Sequence, residues 1–283
     1  MNGVLCVFDV RGVLAETGRG TKIFYDPLLI TNIEAIHEIK RQRKDFFPTV
    51  LSGSTWPGMS QVIKRMEVHV AGICEGAVIV TNDGVSIESH PLHDWNLVKA
   101  LLEDDRNKNA LYDGVIDYWP IGERFHRFYF GLRNHDFMRY FENERELIDA
   151  RYLCAWTEFL GLLERDVYAQ RVTHLMLRTP ERIFVPHGLY DIHGLGIKHL
   201  VRPKGIDKAF GMRRLVLHFS HLADDHEIWY FGDSENDQPV ADMEDLDVHF
   251  VAVGDIIQNG RNMVDRISHP KDLGAYLKHL FLK

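Results

Sequence analysis

Apolar residues gather along this chain in short unbroken runs. Val4-Leu5-Cys6-Val7-Phe8, Pro48-Thr49-Val50-Leu51, Ala77-Val78-Ile79-Val80 and Ile228-Trp229-Tyr230-Phe231 each stop at a polar or glycine-bearing turn. Runs this short, without polar alternation, predict strands buried on both faces of a parallel sheet. Between them the apolar spacing lengthens to three. Thr31-Asn32-Ile33-Glu34 has the form of a capping box, and Ile33, Ile36 and Ile39 follow, so a helix is predicted over 31–43. Further helices are predicted over 59–68, 206–218, 239–243 and 272–281, with a strand over 249–253. Strand and helix alternate at both ends of the chain, the order a parallel sheet requires.

The middle has a different texture. From about Glu88 to Lys198 the helical patterns lengthen, over 94–102 and 136–163, and aromatic-rich strand candidates occur over 124–132 and 172–177. The run Phe125-His126-Arg127-Phe128-Tyr129-Phe130 fits sheet packing. The predicted class is therefore α/β: a core with a parallel sheet from residues 1–87 and 199–283, and an inserted α+β domain over 88–198.

Composition narrows the function. Hydrophobic content of 45% and charged content of 26% over 283 residues are those of a folded chain with a sizeable core. A net charge of -8 disfavours nucleic acid and anionic membrane as principal partners, so a small anionic substrate would need local positive charge or a metal. Cys6, Cys74 and Cys154 form no C-x-x-C pair, which argues against a disulfide framework or a structural zinc and fits a reducing cytoplasm. No apolar run reaches membrane-spanning length. The sixteen histidines include no H-x-x-x-H pair on a convincing helix. Oligomeric state is not legible.

Two acidic loops follow strand candidates more than two hundred residues apart: Phe8-Asp9-Val10-Arg11-Gly12 and Phe231-Gly232-Asp233-Ser234-Glu235-Asn236-Asp237. Open α/β sheets collect ligands at the carboxyl ends of their strands, so both loops can converge there on one hard cation. Local readings stand beside this. Asp9 fits a turn, Asp233 and Asp237 fit the acidic first turn of a helix, and Ser52, Ser54 and Thr55 fit a helix cap.

In order along the chain, these segments resemble the haloacid dehalogenase superfamily of phosphatases, in the branch with a large α/β cap inserted between the second and third motifs. Asp9-Val10-Arg11-Gly12-Val13-Leu14 resembles the family's D-x-D-G-T-L loop, and Leu51-Ser52-Gly53 lies where the family has a Ser or Thr at a strand end. Pro203-Lys204-Gly205-Ile206-Asp207-Lys208 is similar to the segment bearing the motif lysine, with Lys208 the better match and Lys204 the alternative. Gly232-Asp233-Ser234-Glu235-Asn236-Asp237 looks like G-D-x-x-N-D, and the Asn82-Asp83-Gly84 turn precedes the cap as in such proteins. The resemblance implies a Rossmann-like core and a nucleophile, Asp9, that forms an aspartyl-phosphate. It implies Mg²⁺ held by Asp9, Asp233, the main-chain oxygen of residue 11 and, in or just outside the first shell, Asp237. Ser52, Gly53 and Lys208 would hold the phosphoryl group of a small phosphorylated metabolite, with a sugar phosphate as one such class.

One position departs from the pattern. The family carries an aspartate two residues after the nucleophile, as acid toward the leaving alcohol and base toward water, and this chain has Arg11. A guanidinium stays protonated and cannot exchange that proton. The sequence reads as a phosphatase; the alternatives are a catalytically impaired relative that binds a phosphorylated ligand or partner in a regulatory role, and a phosphotransferase or mutase. Arg11 either grips phosphate or turns away from the site.

Overall fold

The structure is a computed structural model that describes residues 3–16, 29–90, 95–108, 113–118, 126–131, 149–153, 172–178, 182–195, 198–219 and 226–282. Gly3–Phe8 forms β1, buried at every position as its unbroken apolar run requires. The helix Ile30–Gln42 follows, but the expected capping box does not form: Leu29 is the N-cap and no side chain caps the helix. Asn32 inside that segment is buried. It donates to the carbonyls of Val13 and Pro270 at 3.3 and 2.9 Å and accepts from the Gly274 amide at 3.0 Å, so it joins the first loop to the C-terminal helix. β2, Phe46–Val50, starts two residues before the expected strand. Pro48 is tolerated because β2 is the last strand of its sheet. The second helix, Trp56–Arg65, begins three residues earlier than expected, since Pro57 suits a first turn whose amides have no partner.

The third apolar run is corrected by the structure. β3, Val70–Ile73, escaped the sequence reading, and β4, Val78–Thr81, pairs with it antiparallel. The intervening Cys74–Gly76 turn is too short for a parallel crossover, so the run expected in the parallel sheet forms a hairpin instead.

Contacts divide the chain into two compact units, 1–83 with 207–283, and 84–206. Among its described residues the second unit contains β5 (Ser86–Ser89), helices Trp95–Glu103 and Asp105–Lys108, and six further strands. These are β6 (Asp113–Tyr118), β7 (His126–Gly131), β8 (Asp149–Leu153), β9 (Val172–Arg178), β10 (Leu189–Leu195) and β11 (Lys198–Pro203). They form one sheet in the order β10-β11-β9-β6-β7-β8, antiparallel except for β7 with β8. β11 lies in this sheet, which puts residues 199–206 with the inserted unit. Most of the helix expected over 136–163 falls outside the described residues, as do Phe125 and Cys154, and the part that is described, Asp149–Leu153, is a strand.

The chain returns to the first unit with the helix Lys208–Phe219, β12 (His226–Gly232), a turn over Glu235–Asp237, the short helix Gln238–Ala241, β13 (Val248–Val253), β14 (Met263–Ile267) and the helix Leu273–Phe281. β14 is another strand that the sequence reading missed. The sheet order is β14-β13-β12-β1-β2, parallel throughout. From β1 the chain proceeds to β2 on one side, while β12, β13 and β14 fill the other. The strand order therefore reverses at β1, and such a reversal opens a crevice at the carboxyl ends. Among the described residues no helix is long and apolar enough to cross a membrane.

Candidate active site

Adjacent parallel strands bring the two acidic loops together. Phe8 pairs with Phe231, their rings stack 4.9 Å apart, and the Asp9 amide donates to the Phe231 carbonyl at 2.9 Å. After Asp9 the loop closes on itself: the Leu14 and Ala15 amides reach the Val10 carbonyl at 2.9 and 2.8 Å, and the Gly12 amide reaches the Ala15 carbonyl at 2.8 Å. Gly12 has φ +75, and a Cβ there would stand 1.9 Å from Oδ2 of Asp233. Glycine thus serves both the left-handed backbone and the approach of the second aspartate. Asp9 is only 5% exposed. Its Oδ1 accepts from the Val10 amide at 2.7 Å, and its Oδ2 lies 2.8 Å from Nζ of Lys208.

Lys208 opens its helix just after Asp207, which accepts from the Phe210 amide at 2.8 Å. Its fully buried ammonium bridges Asp9 and, at 2.5 Å, Oδ1 of Asp237. Lys204 is exposed in the preceding turn, so the structure selects Lys208 for the acidic cluster. Asp237 is saturated with donors. Oδ1 also accepts from the Tyr230 hydroxyl at 2.6 Å, while Oδ2 accepts from the amides of Asp233 and Ser234 and from the Ser234 hydroxyl, each at 3.1 Å. Ser234 and Asp237 form a capping box at this turn, in keeping with the acidic helix-start reading, and the same carboxylate anchors Lys208. Asp237 braces the loop that carries Asp233.

No family model matches the sequence, and no curated protein matches it. Solved structures do. A protein from Thermotoga maritima, TM0651, superposes with a TM-score of 0.66 at 17% identity, covering 98% of this chain and 97% of that one. The HAD subclass IIB sugar phosphatase BT4131 gives 0.62 at 15% identity with 98% of both chains covered. BT1666, a HAD-superfamily phosphatase from Bacteroides thetaiotaomicron, gives 0.63 at 15% identity over 98% and 95%. The fold is that of the HAD-superfamily phosphatases.

Within this HAD fold, Asp9, Asp237 and Lys208 form a buried charge cluster with half-buried Asp233 beside it. Burial pushes Asp9 up from 3.8 to about 7, with Lys208 pulling the other way and Asp237 adding to the rise. Burial, then repulsion from Asp9 and Asp237, raises Asp233 to about 8. For Lys208 burial alone would favour loss of the proton, but Asp237, Asp9 and Glu75 outweigh it and hold the ammonium charged. Burial and the nearby carboxylates raise the Tyr230 phenol well above its ordinary value, so it remains a donor to Asp237. Three carboxylates around one ammonium carry excess negative charge, and a divalent cation relieves that repulsion. Carboxylate oxygens of Asp9, Asp233 and Asp237 lie within 4.8 Å of one another. Among the described residues, Oδ1 of Asp233 is buried without a hydrogen-bond partner. Hard oxygen donors, an unpartnered lone pair and suppressed ionisation together fit Mg²⁺.

The other residues singled out in the sequence are less tightly joined to this cluster. Ser52 lies beyond β2 at the same sheet end, since the Leu51 amide bonds the Phe8 carbonyl at 3.0 Å. Its buried hydroxyl accepts from the Ser54 amide at 3.2 Å, and no side chain caps the following helix at Thr55. The cap reading of this serine-rich segment is therefore replaced by a turn that leaves Gly53 half-buried at the strand end. Arg11 is half-buried and bridges to Ala15 through its backbone. Two residues near the cluster went unread in the sequence. Tyr230 looked like strand packing, and Glu75 sat in a turn without the glycine or asparagine that signals a left-handed backbone.

Proposed function

We propose that this protein hydrolyses phosphoric monoesters of a small metabolite in a Mg²⁺-dependent reaction through an aspartyl-phosphate on Asp9. The observation that carries the reading is the buried Asp9–Lys208–Asp237 bridge with Asp233 packed against Gly12 at the switch point of a parallel sheet. Neighbouring structures of this fold include phosphatases, one of them a sugar phosphatase, which supports a phosphorylated sugar as the substrate class. Residues 84–206 would serve as the cap that selects it. The buried free thiol of Cys6 is compatible with a reducing cytoplasm.

In the proposed reaction a carboxylate oxygen of Asp9 attacks phosphorus, the bond to the leaving oxygen breaks, and that oxygen takes a proton from solvent. Water then attacks the same phosphorus and gives a proton to solvent, the bond to Asp9 breaks, and phosphate leaves. Lys208 holds Asp9 in place and offsets charge on the transferring group, and Ser52 with the Gly53 amide receives phosphoryl oxygens. Asp237, Tyr230 and Ser234 keep Lys208 and Asp233 oriented. Mg²⁺, held by Asp9, Asp233 and the main-chain oxygen of Arg11, would supply charge neutralisation between nucleophile and phosphate. Phosphate release from a panel of phosphorylated metabolites tests the reading: release that requires Mg²⁺ is expected, and release unaffected by chelation would overturn it.

Metal binding should depend on pH in a defined direction. Asp9 and Asp233 hold protons up to about 7 and about 8 without metal, and both must lose them to coordinate it. Their raised values mean that the stability they contribute is fully present below the ordinary value of 3.8 and is lost as pH rises through about 7 to 8. Melting curves should therefore show the metal-free protein weakening across that window, with Mg²⁺ stabilisation growing over the same interval. Asp233→Asn should lower Mg²⁺ affinity at least about tenfold by calorimetry, the loss of one charged ligand. Equal affinity in the two proteins would remove Asp233 from the metal site.

Arg11 favours a second reading, a protein that binds phosphorylated ligands with little turnover. General acid–base catalysis is worth about 10²–10⁴-fold, and this position cannot provide it. Arg11→Asp should raise kcat, most for esters with poor leaving groups. If Arg11 instead grips phosphate, the same change weakens ligand affinity and leaves kcat low. A transferable phosphoryl group released only to an acceptor other than water would favour the phosphotransferase reading.

A further inference from the structure

Cys74, Glu75 and Gly76 have φ of 51, 58 and 81, three successive left-handed residues of which only one is glycine. Such a backbone costs on the order of 1–3 kcal/mol per strained residue and persists only where its surroundings over-determine it. The surroundings here do so. The Cys74 amide bonds the Ser54 carbonyl at 3.0 Å, and the Glu75 amide bonds the Ser52 carbonyl at 2.9 Å. Buried Arg214, on the helix that begins with Lys208, donates to the carbonyls of Gly76 and Ala77 at 3.0 and 3.1 Å. Gly76 packs so closely on that helix that a Cβ would stand 2.1 Å from Cα of Gly211.

This clamped turn presents one carboxylate. Glu75 is 7% exposed, and its Oε1 accepts from Nδ2 of Asn236 at 3.3 Å. The same oxygen would stand 2.4 Å from a Cβ on Gly53, so Glu75 lies directly over that glycine. Its charge also helps keep the Lys208 ammonium protonated. Glu75 thus reaches three parts of the cluster that come from distant segments of the chain.

We propose that Glu75 is a positioning residue that holds the Ser52-Gly53 loop and the Asn236 loop in register for binding the phosphoryl group. The last clause rests on the proposed phosphatase function, whereas the positioning does not. It acts through Gly53 and Asn236 and is assigned no proton transfer. Because the contacts are a hydrogen bond and a packed surface, glutamine should replace it and alanine should not.

The test combines hydrogen exchange with calorimetric binding of inorganic phosphate in the presence of Mg²⁺. Glu75→Ala should speed amide exchange at 53–55 and 235–238 about tenfold and weaken phosphate binding about tenfold, the upper worth of one ordinary hydrogen bond. Glu75→Gln should restore both. Asn236→Ala, changed from the exposed side of the contact, should speed exchange at 235–238 and covers the case in which Glu75→Ala does not fold. A folded Glu75→Ala with wild-type exchange and phosphate affinity overturns the proposal. So does a Glu75→Gln protein as impaired as Glu75→Ala, which would assign the effect to charge alone. If the wild-type protein bound no phosphate, the phosphatase reading would fail, while the exchange comparison would still decide the positioning role.

Discussion

Asp9→Asn should abolish phosphate release, by at least about 10³-fold, while leaving the fold intact. Asparagine has the shape of aspartate but cannot form the acyl-phosphate, so the chemical step loses its nucleophile. The rest of the cluster should persist, because Lys208 keeps Asp237 at 2.5 Å and Asp237 keeps its Tyr230 and Ser234 donors. Removing a carboxylate that burial holds protonated up to about 7 also removes a group the metal-free fold ionises at a cost. The metal-free variant should therefore melt no lower than the wild type at alkaline pH. Melting curves and phosphate release on the same preparation check both halves. A folded variant with most of its activity would exclude Asp9 as nucleophile.

Lys208→Met should destabilise the protein by about 3–5 kcal/mol, the usual cost of removing one partner from a buried charge pair. Lys208 is fully buried and bridges two carboxylates, at 2.8 Å to Asp9 and 2.5 Å to Asp237. Methionine fills similar volume, so the loss is chiefly electrostatic: the remaining carboxylates face each other without a cation. Lowering the pH should recover part of the stability by protonating them. Adding Asp237→Asn should cost less in the Lys208→Met background than in the wild type, because the two residues form one network. Denaturant unfolding of the four proteins measures that coupling. Additive effects would mean that the 2.5 Å contact carries no energetic weight.

Much of the core was legible because it is written in local pattern. β1 is apolar from Val4 to Phe8 and β12 from Ile228 to Phe231, and the aspartates follow these strands directly. The strand pairing that joins the two loops is tertiary, and it could be expected only because buried parallel strands have few alternatives. Sequence spacing placed Lys208 ahead of Lys204 and kept Lys204 as the alternative. The helix phase separates them, since Lys208 shares its buried face with Ala209, Met212 and Leu215. Other features had no local signal. Asn32 reads as a helix-start residue, yet its bonds go to the carbonyls of Val13 and Pro270, far away in sequence. β3 is four residues long and contains Gly72, too little to register as a strand. Cys74 and Glu75 adopt left-handed backbone that neither residue favours, because Arg214 and the Ser52–Ser54 carbonyls hold it. Tyr230 is a strand aromatic whose hydroxyl finds its partner in the next loop.

The loss of an acid and base at Arg11 bears most on the second half of the reaction, in which water opens the aspartyl-phosphate. Slow opening would make that species accumulate. Rapid acid quench of the wild-type protein with Mg²⁺ and a substrate chosen from the release panel, followed by peptide mass spectrometry, therefore tests the account most directly. A phosphoryl group on the peptide that contains Asp9, absent when chelator replaces Mg²⁺ and absent in Asp9→Asn, is the predicted result. Steady release of phosphate with no phosphorylated peptide at any quench time, or with the phosphoryl group on another residue, would contradict it.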